Sequence, residues 1–308
     1  VVDGEFQRNE SNPVFFLIND LNYKMWGDHY CRKNPIGDHN IIRTATPEKM
    51  KVIQEKFYHP NNSILCVAGD VNHDEVFAMV KDIYSAWPAS TIDPFKRWPI
   101  PDFYPMVDQN NFVVINENAK SPMIIGGYHG PDTRNDLPAT YAADVFSTIL
   151  NLRTSALQKA LVESGLAFNV NVNYQTCKFT GPIQIFMVPN PARIKEAIKV
   201  LQDEIKKWDR DDYFTDEQLS TAKSQLEISD AFGKEQTSNF VHTVTYWWAS
   251  ASIGYYTNYN ENVHKVTREE IKSYVRKYIQ NQPSAWGVLV DPKLKESMQL
   301  DESIFVQK

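Results

Sequence analysis

Apolar positions along this chain change period several times, and each change marks an element. Residues 1–27 open polar and then turn apolar and aromatic through Val14, Phe15, Phe16, Leu17, Leu21, Tyr23, Met25 and Trp26. Spacings of three and four predict a helix, with Pro13 near a first turn. Residues 27–46 read as loop. Thr46-Pro47-Glu48 predicts a helix start, with Thr as N-cap, Pro at the first helical position and an acid near the positive dipole end. Met50, Ile53, Phe57 and Tyr58 would form its buried stripe. His59-Pro60-Asn61-Asn62 ends it, 63–68 predicts a buried strand, Gly69-Asp70-Val71-Asn72 a turn, and 73–87 another amphipathic helix.

Prolines at 88, 94, 99, 101 and 105 then interrupt all periodicity, as in an interdomain linker. Beyond it the pattern restarts: strands at 111–117 and 122–129, helices at 137–150 and 153–164, strands at 167–176 and 180–188. A long helix over 191–208 carries an apolar stripe at Ile194, Ala197, Ile198, Leu201 and Ile205. Three or four more helices fill 215–280, and a strand at 284–290 closes the unit. The strands follow one another through hairpins or helix pairs rather than regular βαβ alternation. That order predicts an α+β architecture of two layers, an antiparallel sheet covered on one face by helices. Residues 1–90 read as the tail of a similar unit, 91–110 as a Pro-rich linker and 111–308 as a complete second unit, a tandem arrangement.

Composition narrows the class. The 308 residues are 42% hydrophobic and 23% charged, and 16 Phe, 15 Tyr and 7 Trp supply enough apolar area to oppose disorder. No apolar run approaches the roughly 18 residues of a membrane helix, so no membrane insertion is expected. The net charge of −6 lacks the clustered Lys and Arg that phosphates demand, so no nucleic-acid partner is expected. Three cysteines (Cys31, Cys66, Cys177) at wide spacing, without C-x-x-C, predict no disulfide framework. The chain opens Val1-Val2-Asp3-Gly4-Glu5, with no initiator Met, basic segment or apolar leader. It is expected to begin inside a longer protein.

Candidate chemistry is sparse. His29, Cys31 and His39 lack a fourth ligand at zinc spacing, and no G-x-S-x-G nucleophile turn is present. Gly126-Gly127-Tyr128-His129-Gly130-Pro131 is too short for a phosphate loop and predicts a turn. The aromatic cluster Trp247-Trp248 and Tyr255-Tyr256 lines either a core or a binding surface, and helical spacing favours core.

The stretch Phe57-Tyr58-His59-Pro60-Asn61-Asn62-Ser63-Ile64-Leu65-Cys66-Val67-Ala68-Gly69-Asp70-Val71 resembles the first domain of M16 (insulinase/pitrilysin-like, mitochondrial-processing-peptidase-like) zinc metallopeptidases. Residues 1–13 are similar to the family's stretch around its third zinc ligand. Leu-Gln-Lys-Ala-Leu-Val-Glu-Ser-Gly-Leu-Ala-Phe-Asn-Val at 157–170 is similar to its second-domain segment L-x-x-x-L-R-E-x-x-G-L-A-Y-x-V. The three lie in consistent order and span the chain.

The resemblance implies two M16-type units, the first truncated, from a zinc-dependent endopeptidase that cleaves peptides inside a chamber of two halves. The family's H-x-x-E-H motif follows none of the seven histidines. The resemblance therefore implies a motif upstream of Val1, zinc in the parent protein but none on this chain, and an inactive chain by itself. Glu5 matches the distal zinc ligand, with Glu10 the alternative if the register slips. The family's substrate-binding Arg and Tyr are replaced by Leu161 and Phe168, both expected in the core, so a partner half would supply that pair to a peptide or unfolded substrate. A non-catalytic M16-like subunit that shapes a partner's chamber is the rival reading. Compartment is left open, with the periplasm the expectation for a bacterial source.

Overall fold

The computed structural model describes residues 1–306. Its centre is one five-stranded sheet in the order β1-β5-β2-β4-β3. The strands are β1 (Asn110–Ile115), β2 (Met123–His129), β3 (Ala167–Tyr174), β4 (Pro182–Pro189) and β5 (Ala285–Val290). All pairings are antiparallel except β1 with β5, which run parallel. The α+β class and the helix-covered sheet expected from the sequence are both present.

Helices cover both faces of the sheet, where the pattern suggested one. Along β2 and β5 neighbouring residues point to opposite sides. Ile124 and Val288 enter the larger core with α7 (Leu137–Asn151), α9 (Ile194–Ile205) and α14 (Arg268–Tyr278). Ile125 and Leu289 enter a second core beneath α2 (Pro13–Trp26), which buries Leu17, Leu21, Met25 and Trp26. Gly127 permits this approach, because a Cβ there would collide with Met25. Gly126-Gly127-Tyr128-His129 completes β2, within the strand expected at 122–129. The Gly126-Gly127 pair is bare on both faces, so that the Trp286 ring and Met25 can lie against its backbone.

The N-terminal region holds two helices where one was expected. α1 (Val2–Glu10) ends at Ser11, and Asn12 caps α2 by accepting from the Val14 N–H, with Pro13 in its first turn. The short α3 (His39–Arg43) is capped by Asp38. α4 (Pro47–Phe57) begins as the sequence predicts, with Thr46 accepting from the Lys49 N–H.

The expected strand at 63–68 has no regular secondary structure and pairs with no strand among the described residues. Ladder hydrogen bonds need a neighbouring strand, and none lies there among the described residues. Neither α4 nor α5 (His73–Tyr84) has a buried residue, so the stripe expected at Met50 and Ile53 is exposed, as are Leu65, Val67, Phe77 and Met79.

The Pro-rich stretch carries the short α6 (Pro94–Arg97) and docks through Phe103, which packs edge-on to Trp26 and stacks on His29. The Arg32 guanidinium lies 4.8 Å from the Trp26 ring centre and 5.0 Å from that of Phe103, and it donates to the Phe179 and Thr180 carbonyls. Trp26 in turn stacks on His129 at 4.1 Å. On the far side, α8 (Ala156–Gln158) continues into a π-helical turn, Lys159–Glu163. α10 (Asp216–Glu235), α11 (Thr237–Ser250), α12 (Ile253–Thr257) and α13 (Tyr259–Lys265) close the outer layer, and α15 (Pro292–Met298) follows β5.

Candidate functional site

α1 carries the residues that the sequence singled out. At 100° per residue Asp3, Phe6 and Glu10 share one face and Glu5 lies on the opposite one. The structure follows that division. Phe6 is buried, with its ring 5.7 Å from Phe15 and 4.3 Å from the His39 imidazole. His39 bridges two carboxylates, Nδ1 to Asp3 Oδ1 at 2.6 Å and Nε2 to Glu10 Oε2 at 3.1 Å. Arg43 adds a second contact to Asp3 at 3.1 Å. The Asp3 and Glu10 hydrogen bonds hold the His39 pKa above its ordinary value, and His39 and Arg43 hold that of Asp3 below its own.

Glu5 is left outside this clamp. Its side chain is 53% exposed and, among the described residues, pairs with Arg8 at 3.6 Å. Glu10, the alternative, is committed to His39, so Glu5 is the carboxylate of α1 still available to an external group. Among the described residues no group of three or more His, Cys, Asp or Glu side chains stands in metal-binding geometry. One carboxylate is no zinc site, and no reaction step is assigned to a metal held by these residues alone. His29 lies against Phe103 and His39 in the clamp, so the imagined His29–Cys31–His39 cluster is not assembled.

Leu161 and Phe168 part company. Leu161 is fully buried in the π-helical turn, as expected of a core residue. Phe168 is 66% exposed, against the expectation that it too is core. The cause is a bulge: the β3–β4 register shifts between Ala167 and Asn169, turning the intervening ring outward. Neither residue offers a hydrogen-bond donor or a charge on its side chain.

The sequence reading missed the His39 clamp. The signal was available in Asp3, Phe6 and Glu10 on one helical face, but nothing local indicated that α3 would meet it.

The family model described as the peptidase M16 inactive domain matches residues 44–226. An uncharacterized zinc protease of Streptomyces coelicolor is 19% identical over 308 residues, covering 97% of this chain and 65% of its own length. The probable zinc protease PqqL of Escherichia coli is 28% identical over 97 residues, 32% of this chain and 10% of that protein. Among solved structures, a protease from Helicobacter pylori superposes with a TM-score of 0.78 at 19% identity, covering 94% of this chain and 70% of that one. The first half of the periplasmic protease PqqL from Escherichia coli gives 0.74 at 15% identity, over 98% and 67%. The fold is thus that of M16-like proteins. With more than half its residues under the family model, the chain belongs to the peptidase M16 family, in its inactive-domain type. It spans about two thirds or less of the curated relatives' length.

Proposed function

We propose that this chain is the larger part of one half of a zinc-dependent M16 endopeptidase acting on peptides or unfolded segments. The match to the family model over residues 44–226 carries this reading, and the outward, uncommitted Glu5 supports it. In this reading residues 1–90 are the C-terminal part of a first M16 domain, 91–110 its linker and 111–308 the second domain. The unpaired segment at 63–68 and the bare faces of α4 and α5 would be completed by strands from outside these residues. Glu5 would be the distal zinc ligand, joined by two His of an H-x-x-E-H helix elsewhere in the parent protein. Zinc held there would supply a polarised water, and the chain's own part would be to hold Glu5 through Phe6 and the His39 clamp.

Leu161 and Phe168 cannot orient a substrate carbonyl by donation. A second half, on the same chain or another, would contribute that function. The Escherichia coli relative PqqL is described as a periplasmic protease, which supports a periplasmic setting for a bacterial parent.

The test is zinc stoichiometry and peptide hydrolysis on the parent protein and its Glu5→Gln variant. Loss of both, with an unchanged circular-dichroism spectrum, is expected. A variant that keeps its zinc and its activity would remove Glu5 from the ligand set. A second reading, a non-catalytic subunit that shapes a partner's chamber, is favoured by the inactive-domain type of the matched family. A zinc-free parent protein with Glu5 intact would establish it.

A further inference from the structure

The aromatic cluster of the outer helices encloses a cavity that the peptidase reading does not use. It has a volume of about 240 Å3 and lies between α10, α11, α12 and α13. Trp247, Tyr256 and Tyr259 give it three ring walls, with Asp230, Ser229 and Thr243 as polar lining. The Asp230 side chain is only 15% exposed. Its Oδ2 accepts from Lys234 Nζ at 2.6 Å and from Asn260 Nδ2 at 2.9 Å, leaving Oδ1 unclaimed. Beside it Asn260 Oδ1 is buried without a hydrogen-bond partner, and the Tyr256 hydroxyl faces the Lys234 ammonium. Burying such an atom unpaired is costly, and most proteins avoid it.

The polarity of this set is one-sided. A carboxylate oxygen and the faces of electron-rich rings both favour a positive charge carrying N–H donors. The protein already demonstrates the preference with its own side chain: the Lys234 ammonium, held by Asp230, lies 5.3 Å from the Tyr256 ring centre. Lys234 is 45% exposed and is not itself a lining residue, so it can swing into solvent.

We propose that this cavity is a binding site for a compact organic cation, an alkylammonium or alkylguanidinium group, which displaces Lys234 from Asp230. The ligand's alkyl stem would lie along Trp247 and Tyr259 and its head group would donate to the Asp230 carboxylate. Lys234 acts as a tethered competitor, and the apparent affinity falls by the fraction of time it occupies the carboxylate.

The experiment titrates the chain with n-butylammonium, n-butylguanidinium and neutral 1-pentanol while following the Trp247 indole N–H signal, assigned with Trp247→Phe. Both cations are expected to shift that signal and 1-pentanol to leave it in place. Lys234→Met should bind the cations roughly tenfold more tightly and Asp230→Asn roughly tenfold more weakly. If 1-pentanol binds as well as the cations, or Lys234→Met fails to tighten binding, the proposal is overturned. Should Asp230→Asn fail to fold, Lys234→Met decides the matter alone.

Discussion

The Asn151 side chain takes both backbone hydrogen-bonding groups of Val172, donating to its carbonyl at 2.7 Å and accepting from its N–H at 2.9 Å. Val172 lies on β3, the last strand of the sheet, and Gln158 similarly donates to the Val170 carbonyl at 2.9 Å. The two amides stand where a sixth strand would pair. An edge left open is a template for association, and here side chains close it.

Asn151→Leu should therefore act twice. Two buried backbone groups lose their partner, a cost of roughly 2–4 kcal/mol, read as a lower urea midpoint. The freed edge should also raise the dimer fraction in light scattering. A monomeric variant of unchanged stability would contradict the role of this amide.

Two buried groups set opposing pH trends. Burial pushes the His129 pKa down to about 4, while its Nε2–H donates to the Met25 carbonyl. Burial pushes Asp144 up to about 7 although Tyr259 donates to it at 2.8 Å; Asp144 keeps some surface exposure, but its carboxyl is densely enclosed. Between pH 6.5 and 4 the unfolded chain binds a proton at His129 that the folded chain refuses, so acid removes stability. Over the same window the folded chain holds a proton on Asp144 that the unfolded chain has released, so acid adds stability. Each slope is about 1.4 kcal/mol per pH unit, and the two nearly cancel. Asp144→Asn should unmask the loss, and His129→Gln should make stability rise as pH falls. Chemical denaturation at half-unit pH steps checks both.

The His39 clamp follows the opposite rule from His129. Its pKa is raised in the folded state, so its contribution is complete below pH 6.5 and fades as pH climbs through the folded value. Amide exchange along α1 should accelerate over that rise, and His39→Ala should accelerate it at every pH. Exchange insensitive to both would mean that Phe6 alone docks α1.

A Cβ at Gly287 would strike the Phe112 ring of the neighbouring strand. Gly287→Ala should cost roughly 1–3 kcal/mol through overpacking. Phe112→Leu in the same chain should recover part of it, giving a coupling energy in a double-mutant cycle. Additive costs would contradict the contact.

Much of this fold was legible where physics is local. Thr46-Pro47-Glu48 fixed the start of α4, and alternation along β3 and β4 located both strands. Pairing partners far apart in sequence were not legible. Nothing near residues 110 or 285 states that β1 and β5 run side by side in parallel, and nothing in 63–68 states that its partners are absent. Phe168 escaped because one bulge reverses which way a strand residue points. At the candidate site, the helical face of α1 separates Glu5 from Asp3 and Glu10 by geometry alone. His39 had to be brought there by the fold.

The helix over Pro13–Trp26 shares a core with strands that begin only at Asn110, Met123 and Ala285. Each of its four buried side chains contributes about 2 kcal/mol of gross burial. A protease nick in the exposed stretch around α4 and α5 would therefore leave two pieces still gripping each other through that core. Covalent continuity and structural continuity diverge here, and the sheet holds its helix by contact alone.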